Sequence, residues 1–304
     1  MHVAGLDFRN PVVLASGTAG YGKEIDDVVE LAAVGGLVTK AVSVAPRHGA
    51  PPLRVSDFAG GMINAIGLAN PGLDEVRRTA MPWLAARDRG LRILVNVVGN
   101  SVDEFTTVVS GLETSDGVHA FELNVSCPNV KSGGLEFGAD PTALASLVAA
   151  VRRCTAKPVF VKLSPTLGAG IVDAARIAVD QGATGLTLVN TMPGLVIDTD
   201  RKRPKIGFGS GGVSGPALLP LGLLATWRVS QAMPSVPIIG LGGVSTADDA
   251  VQYLLAGASL VGVGTAALRD PRAPERIARG LESWAIARGI DNLQSLIGSL
   301  QWPT

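Results

Sequence analysis

Short apolar runs alternate with longer amphipathic stretches along the chain. The runs occupy 12–15, 36–40, 93–97, 121–125, 158–163, 185–190, 236–241 and 259–264. Between them the spacing of apolar positions predicts helices over 26–33, 74–87, 102–112, 141–154, 171–181, 218–233, 247–255 and 274–288. Several have clear ends. Asp140 is a good N-cap with Pro141 at the first helical position, and Thr246 opens the helix that follows it. Gly182 and Gly257 stand at C-terminal stops, and Pro234 follows another. This alternation is the signature of βα units around a parallel sheet. Eight runs in 304 residues predict an α/β protein, a (β/α)8 TIM barrel with long active-site loops, in one domain over 1–304. A Rossmann-type open sheet is the alternative. Two connections, 41–73 and 191–215, are long enough to be binding loops or lids.

Composition narrows the function. Lys and Arg number 26 and Asp and Glu number 26, so the net charge is zero and nucleic acid is not expected as a partner. The first residues lack a long apolar core, so no secretory leader is expected. Nor does any uninterrupted apolar run reach the length needed to span a membrane. Two cysteines, Cys127 and Cys154, are too few for a disulfide framework or a four-thiolate iron–sulfur cluster, and a reducing cytoplasm is the expected compartment. His2, His48 and His119 lack the paired spacing of a zinc site, so no metal is expected.

Polar residues gather where the strands end. Lys40 closes the second run, Asn96 lies in the third, Asn124 in the fourth and Lys162 in the fifth, while Asn190 and Thr191 end the sixth. Asn64 lies in the long loop after the second. One amide or lysine at a strand end is ordinary, since a backbone hydrogen bond or snorkelling satisfies it. So many together call for a planar ligand rich in N–H and C=O groups, and two lysines would stabilise anionic charge on it. The last two strands end instead in Gly240-Leu241-Gly242-Gly243 and Gly262-Val263-Gly264-Thr265, after a loop reading Gly211-Gly212-Val213-Ser214-Gly215. Each alone reads as a tight turn. Together they suit a phosphate held by backbone N–H groups. A phosphate, a lysine near a ring and several carboxamides point to FMN.

The fourth run continues into a glycine-rich loop, Phe121-Glu122-Leu123-Asn124-Val125-Ser126-Cys127-Pro128-Asn129-Val130-Lys131-Ser132-Gly133-Gly134. Cys127 reads as a catalytic thiol, with Asn124 and Asn129 as amides for the substrate. The plain alternative is a buried cysteine acting as a small apolar residue. A flavin that removes hydride from one carbon needs a base for the proton on its neighbour, and a thiolate can serve.

The stretch from Asn124 to Val130 resembles the active-site motif of class 1 dihydroorotate dehydrogenases; class 2 enzymes carry serine where this chain has Cys127. The likeness extends over nearly the whole chain. Asn10 to Thr18 resembles the family's first strand, Met62 to Gly72 its substrate loop and Gly211 to Ala217 its flavin-phosphate region. The resemblance implies that Cys127 takes a proton from C5 of dihydroorotate while hydride leaves C6 for N5 of FMN. It implies that Lys40, Asn64, Ala65, Ile66, Gly67, Leu68, Asn124, Asn129, Asn190 and Thr191 bind the substrate. It assigns FMN to Ser16, Lys40, Ala41, Asn96, Asn124, Lys162, Val189, Gly215, Gly242, Gly243, Gly264 and Thr265, with Lys162 on the pyrimidine side of the ring.

Within that family, 130–134 and 64–68 resemble the 1B type of de novo pyrimidine biosynthesis. It passes electrons to NAD+ through an iron–sulfur flavoprotein subunit carrying FAD and [2Fe-2S]. The implied assembly is a homodimer built into a heterotetramer with that subunit. The fumarate-dependent 1A type and a dihydropyrimidine dehydrogenase-like flavoenzyme are the alternatives, with a non-enzymatic phosphate-binding barrel a third.

Overall fold

The computed structural model describes residues 1–87, 90–126 and 136–303. Eight strands form a closed parallel barrel: β1 (Val12–Leu14), β2 (Gly36–Val38), β3 (Arg92–Val97), β4 (Ala120–Asn124), β5 (Val159–Leu163), β6 (Gly185–Leu188), β7 (Ile238–Leu241) and β8 (Leu260–Val263). They pair in sequence order, and β8 returns to β1. The TIM barrel expected from the periodicity is therefore the architecture found, and the open-sheet alternative falls away. Both faces of each strand are covered, which is why the strands read as apolar runs. Outward residues such as Val95, Leu123 and Val161 meet the surrounding helices in the main core. Inward residues Val13, Val38, Leu94, Phe160, Ile239 and Leu260 form a separate apolar floor. Phe8, from the chain ahead of the first barrel strand, packs into that floor.

The helices that cover the barrel include α1 (Val102–Leu112), α2 (Pro141–Cys154), α3 (Ile171–Asp180), α4 (Leu219–Ala232), α5 (Ala247–Leu255) and α6 (Ala273–Ile286). Their ends follow local chemistry. Asp140 accepts from the N–H groups of Thr142 and Ala143, satisfying two of the donors a helix start leaves free. Thr246 and Asp249 make a reciprocal capping box at the start of α5. No helix among the described residues is long and apolar enough to cross a membrane.

Two predicted helices differ. Over 26–33 the chain runs through turns into a 3-10 segment, Leu31–Ala33. Adjacent Asp26 and Asp27, followed by β-branched Val28 and Val29, are poor helix formers, and the apolar spacing overstated their tendency. Over 74–87 the helix is interrupted: Leu73–Glu75 and Met81–Ala85 flank a π-turn, Val76–Ala80. Pro82 lies just inside the second piece. It has no N–H and its ring crowds the carbonyl four residues earlier, so a widened turn carries the chain past it.

The two long connections do not stay irregular. The hairpin of Val55–Phe58 with Gly61–Asn64 joins Gly211–Ser214 and Met192–Gly194 in a four-stranded antiparallel sheet. Its seam pairs Asn64 with Gly212, and Asn64 Nδ2 donates to the Gly212 carbonyl at 3.1 Å. This sheet borders the open carboxyl end of the barrel.

Candidate active site

A cavity of about 680 Å³ opens at the carboxyl ends of the barrel strands. That volume falls in the range of small-molecule and cofactor sites. Its lining includes Ser16, Lys40, Ala41, the 64–68 segment, Asn96, Asn124, Lys162, Val189, Asn190, Thr191, Gly215, Gly242, Gly243, Gly264 and Thr265. These include every described candidate from the sequence. Cys127 and Asn129 lie outside the described residues.

The floor of the cavity is a polar layer set on the apolar one. Asn96, Lys162 and Thr187 point into the barrel one residue pair above Leu94, Phe160 and Gly185, because strand side chains alternate. Lys162 is 5% exposed and donates to Ser16 Oγ at 3.0 Å, while Asn96 is 1% exposed. Glu122, also 1% exposed, receives Asn96 Nδ2 at 2.7 Å and Thr187 Oγ1 at 2.8 Å.

One wall carries amides. Asn190 Nδ2 donates to Ser126 Oγ at 3.0 Å and to Asn124 Oδ1 at 3.3 Å, and Asn190 Oδ1 accepts the Thr191 N–H at 2.8 Å. Three strand-end side chains thus hold one another, which fixes their faces toward the cavity. A methyl group on Gly212 would stand 2.1 Å from Thr191 Oγ1, so only glycine allows this cap strand to come so close. Lys40, by contrast, is anchored through its backbone, its N–H donating to Gly20 O at 2.7 Å, and its ammonium has no partner among the described residues.

The glycine cradle follows at the ends of β7 and β8. The N–H groups of Gly243, Gly264 and Thr265 meet no acceptor among the described residues. A Cβ on Gly264 would reach nothing closer than 3.7 Å, so the space above that turn is open. Ser214 and Thr265 share a hydrogen bond at 2.8 Å, tying the cap sheet to this turn. Tyr253, on α5, donates to the Gly242 carbonyl at 2.8 Å from a buried position, and burial pushes its phenol pKa up. Glu136, at the rim, is half-buried, and that burial raises its carboxyl pKa.

The donor set fits FMN on these observations. Free N–H groups and open space at the glycine turns suit a phosphate, and the buried ammonium of Lys162 with the Asn96 carboxamide suits the polar edge of a flavin ring. Sequence reasoning passed over Glu122, Thr187, Ser126 and Tyr253. Glu122 left one signal, a charge inside an apolar run. Ser126 stood inside the Asn124–Val130 motif without a role given to it, and Thr187 and Tyr253 left none.

Comparison with known proteins agrees with this geometry. The family model for dihydroorotate dehydrogenase matches residues 1–284. A protein of Geotalea uraniireducens named dihydroorotate dehydrogenase B (NAD(+)), catalytic subunit, is 44% identical over 300 residues, covering 99% of this chain and 97% of its own length. A Citrifermentans bemidjiense protein of the same name is 42% identical over 299 residues, covering 98% and 97%. A crystal structure of a dihydroorotate dehydrogenase from Eimeria tenella, in complex with ferulenol, superposes with a TM-score of 0.82 at 24% identity, over 98% of this chain and 87% of that one. That likeness shows the shared fold. By the match to its family model and by identity over nearly the full length of these relatives, the chain belongs to the dihydroorotate dehydrogenase family.

Proposed function

We propose that this chain oxidises dihydroorotate to orotate with FMN held in the barrel cavity. The observation that carries the reading is the meeting of amides, two lysines and an open glycine cradle in one cavity of a chain from this family. Bound FMN supplies the acceptor for the hydride that leaves C6 of dihydroorotate. The chain supplies the rest. Cys127, as thiolate, takes the proton from C5, so that the C5–C6 single bond becomes the double bond of orotate. Lys40 pairs with the substrate carboxylate. Asn64, Asn124, Asn129, Asn190 and Thr191, with the backbone of 65–68, hold the ring amides and fix the substrate's face. Lys162 offsets negative charge gathering on the flavin, and Ser16, Ala41, Asn96 and Val189 line its ring. Gly215, Gly242, Gly243, Gly264 and Thr265 offer backbone N–H groups to its phosphate.

The naming of the relatives as NAD(+)-linked catalytic subunits supports the 1B arrangement for this chain too. In that arrangement electrons leave for NAD+ through an iron–sulfur flavoprotein subunit with FAD and [2Fe-2S], in a heterotetramer built on a homodimer of this chain. The barrel, cradle and cap sheet act as one FMN-binding domain over 1–304.

The direct test is Cys127→Ala. The variant should keep its flavin yet lose oxidation of dihydroorotate near neutral pH by about 10²- to 10⁴-fold, the usual contribution of a positioned base. Turnover retained by the variant would remove the thiol from the chemistry. Faster turnover of dihydrouracil than of dihydroorotate would move the wild-type enzyme to the dihydropyrimidine class.

A further inference from the structure

Glu122 stands where TIM barrels usually pack branched aliphatic side chains. It lies in the middle of β4, is 1% exposed, and has no part in the oxidation described above. Its surroundings are specific. Oε1 accepts from Asn96 Nδ2 at 2.7 Å, Oε2 accepts from Thr187 Oγ1 at 2.8 Å, and Lys162 Nζ stands 3.9 Å from Oε1. Lys162 in turn donates to Ser16 Oγ at 3.0 Å.

Stability alone does not account for this acid. Removing a carboxylate and an ammonium from water costs more than their attraction commonly returns, and apolar replacements of such pairs are often neutral or stabilising. The acid does provide orientation and charge. A carboxylate only accepts, so it holds the NH₂ end of the Asn96 carboxamide and sets which way that amide is turned. It also sets a negative charge beside a buried ammonium, in a low-dielectric interior where the field of each is felt strongly.

Resting on the reading of this cavity as an FMN site, we infer that Glu122 is a positioning residue that sets the redox poise of the bound flavin. It does so by balancing the charge of Lys162 and fixing the amide of Asn96. With the carboxylate present, the pair is neutral as a unit. Without it, an unbalanced ammonium favours the reduced, anionic ring.

Glu122→Gln separates charge from shape. The glutamine oxygen can still accept from Asn96 and its amide can still donate to Thr187, so both hydrogen bonds survive. The measurement is the midpoint potential of the bound flavin, titrated spectroscopically in the holoenzyme. E122Q should shift the reduction equilibrium at least about tenfold toward the reduced form, about 30 mV for a two-electron couple. Glu122→Asp keeps the charge but withdraws it by one methylene, and should shift the same way by about two- to threefold. Should E122Q fail to fold, E122D alone decides. An unchanged potential, or a shift toward the oxidised form, overturns the inference while leaving the cofactor reading intact. Wild-type protein that neither carries nor takes up FMN overturns the cofactor reading itself, and that failure is visible before any variant is made.

Discussion

Asn70 shows how much of the site depends on a residue that never enters the cavity. Its Nδ2 donates to Leu68 O and Ser43 Oγ, both at 2.8 Å, and its Oδ1 accepts the N–H groups of Gly72 at 2.9 Å and Ser43 at 3.3 Å. Leu68, the end of the proposed substrate loop, is held at φ 55°, a conformation unfavourable for a branched side chain. The buried amide of Asn70 is what pins it there. Asn70→Ala leaves the Leu68 carbonyl and the Gly72 N–H without partners, which costs about 1–3 kcal/mol. The expected result is a lower melting temperature together with a raised KM for dihydroorotate, since the loop that frames the substrate loosens. Unchanged values of both would show that the loop holds itself. Asn70 stood in plain view in the sequence, yet its partner Ser43 is 27 residues away. A side chain that bonds across a fold gives no periodic signal. The strand-end amides and lysines were legible because their positions could be counted from the apolar runs that carry them.

At the scale of elements, α5 links the barrel wall to the glycine cradle. The capping box at Thr246 starts the helix, and Tyr253, near its far end, reaches Gly242. A Cβ on Gly222 would stand 2.0 Å from the Tyr253 hydroxyl, and one on Gly240 would stand 2.3 Å from its ring. Those two glycines make the slot in which the ring lies. Tyr253→Phe keeps the ring and strips its bond to the Gly242 carbonyl. Losing a bond of about 1 kcal/mol should weaken FMN retention by up to about fivefold, with little change in dihydroorotate KM. Dissociation of FMN followed by fluorescence reads this directly, and retention equal to wild type would detach α5 from the cofactor site. Most of the helices could be read from the sequence because caps and stops are local chemistry. The exceptions were local conflicts, the Asp26-Asp27-Val28-Val29 run and Pro82, where apolar spacing outvoted propensity in the reading but not in the molecule. The cap sheet was legible only as two long loops. Its strands are short and glycine-rich, and the Asn64–Gly212 seam joins residues 148 apart.

At the scale of the whole molecule, the barrel is stacked along its axis. An apolar floor of Phe160 and its neighbours supports a polar layer of Asn96, Glu122, Thr187 and Lys162. Above that lie the amide wall, the glycine cradle and the cap sheet that borders them. On β3, β4 and β5 the filling changes from apolar to polar within one residue pair, and that change is what turns a packed core into a site. Eight apolar runs made the barrel readable, since strands covered on both faces have no reason to alternate. Asn96 and Lys162 could be counted from the runs, but their meeting with Glu122 and Thr187 in one layer could not, because inward and outward positions look alike until the register is known. The central claim is that this cavity brings dihydroorotate to a bound flavin. Anaerobic addition of dihydroorotate to the purified, FMN-loaded protein tests it most directly, with the flavin absorbance followed through the mixing. The account predicts that the yellow band bleaches as the flavin is reduced and that orotate forms in equal amount. A flavin that stays oxidised in the presence of saturating dihydroorotate would contradict it.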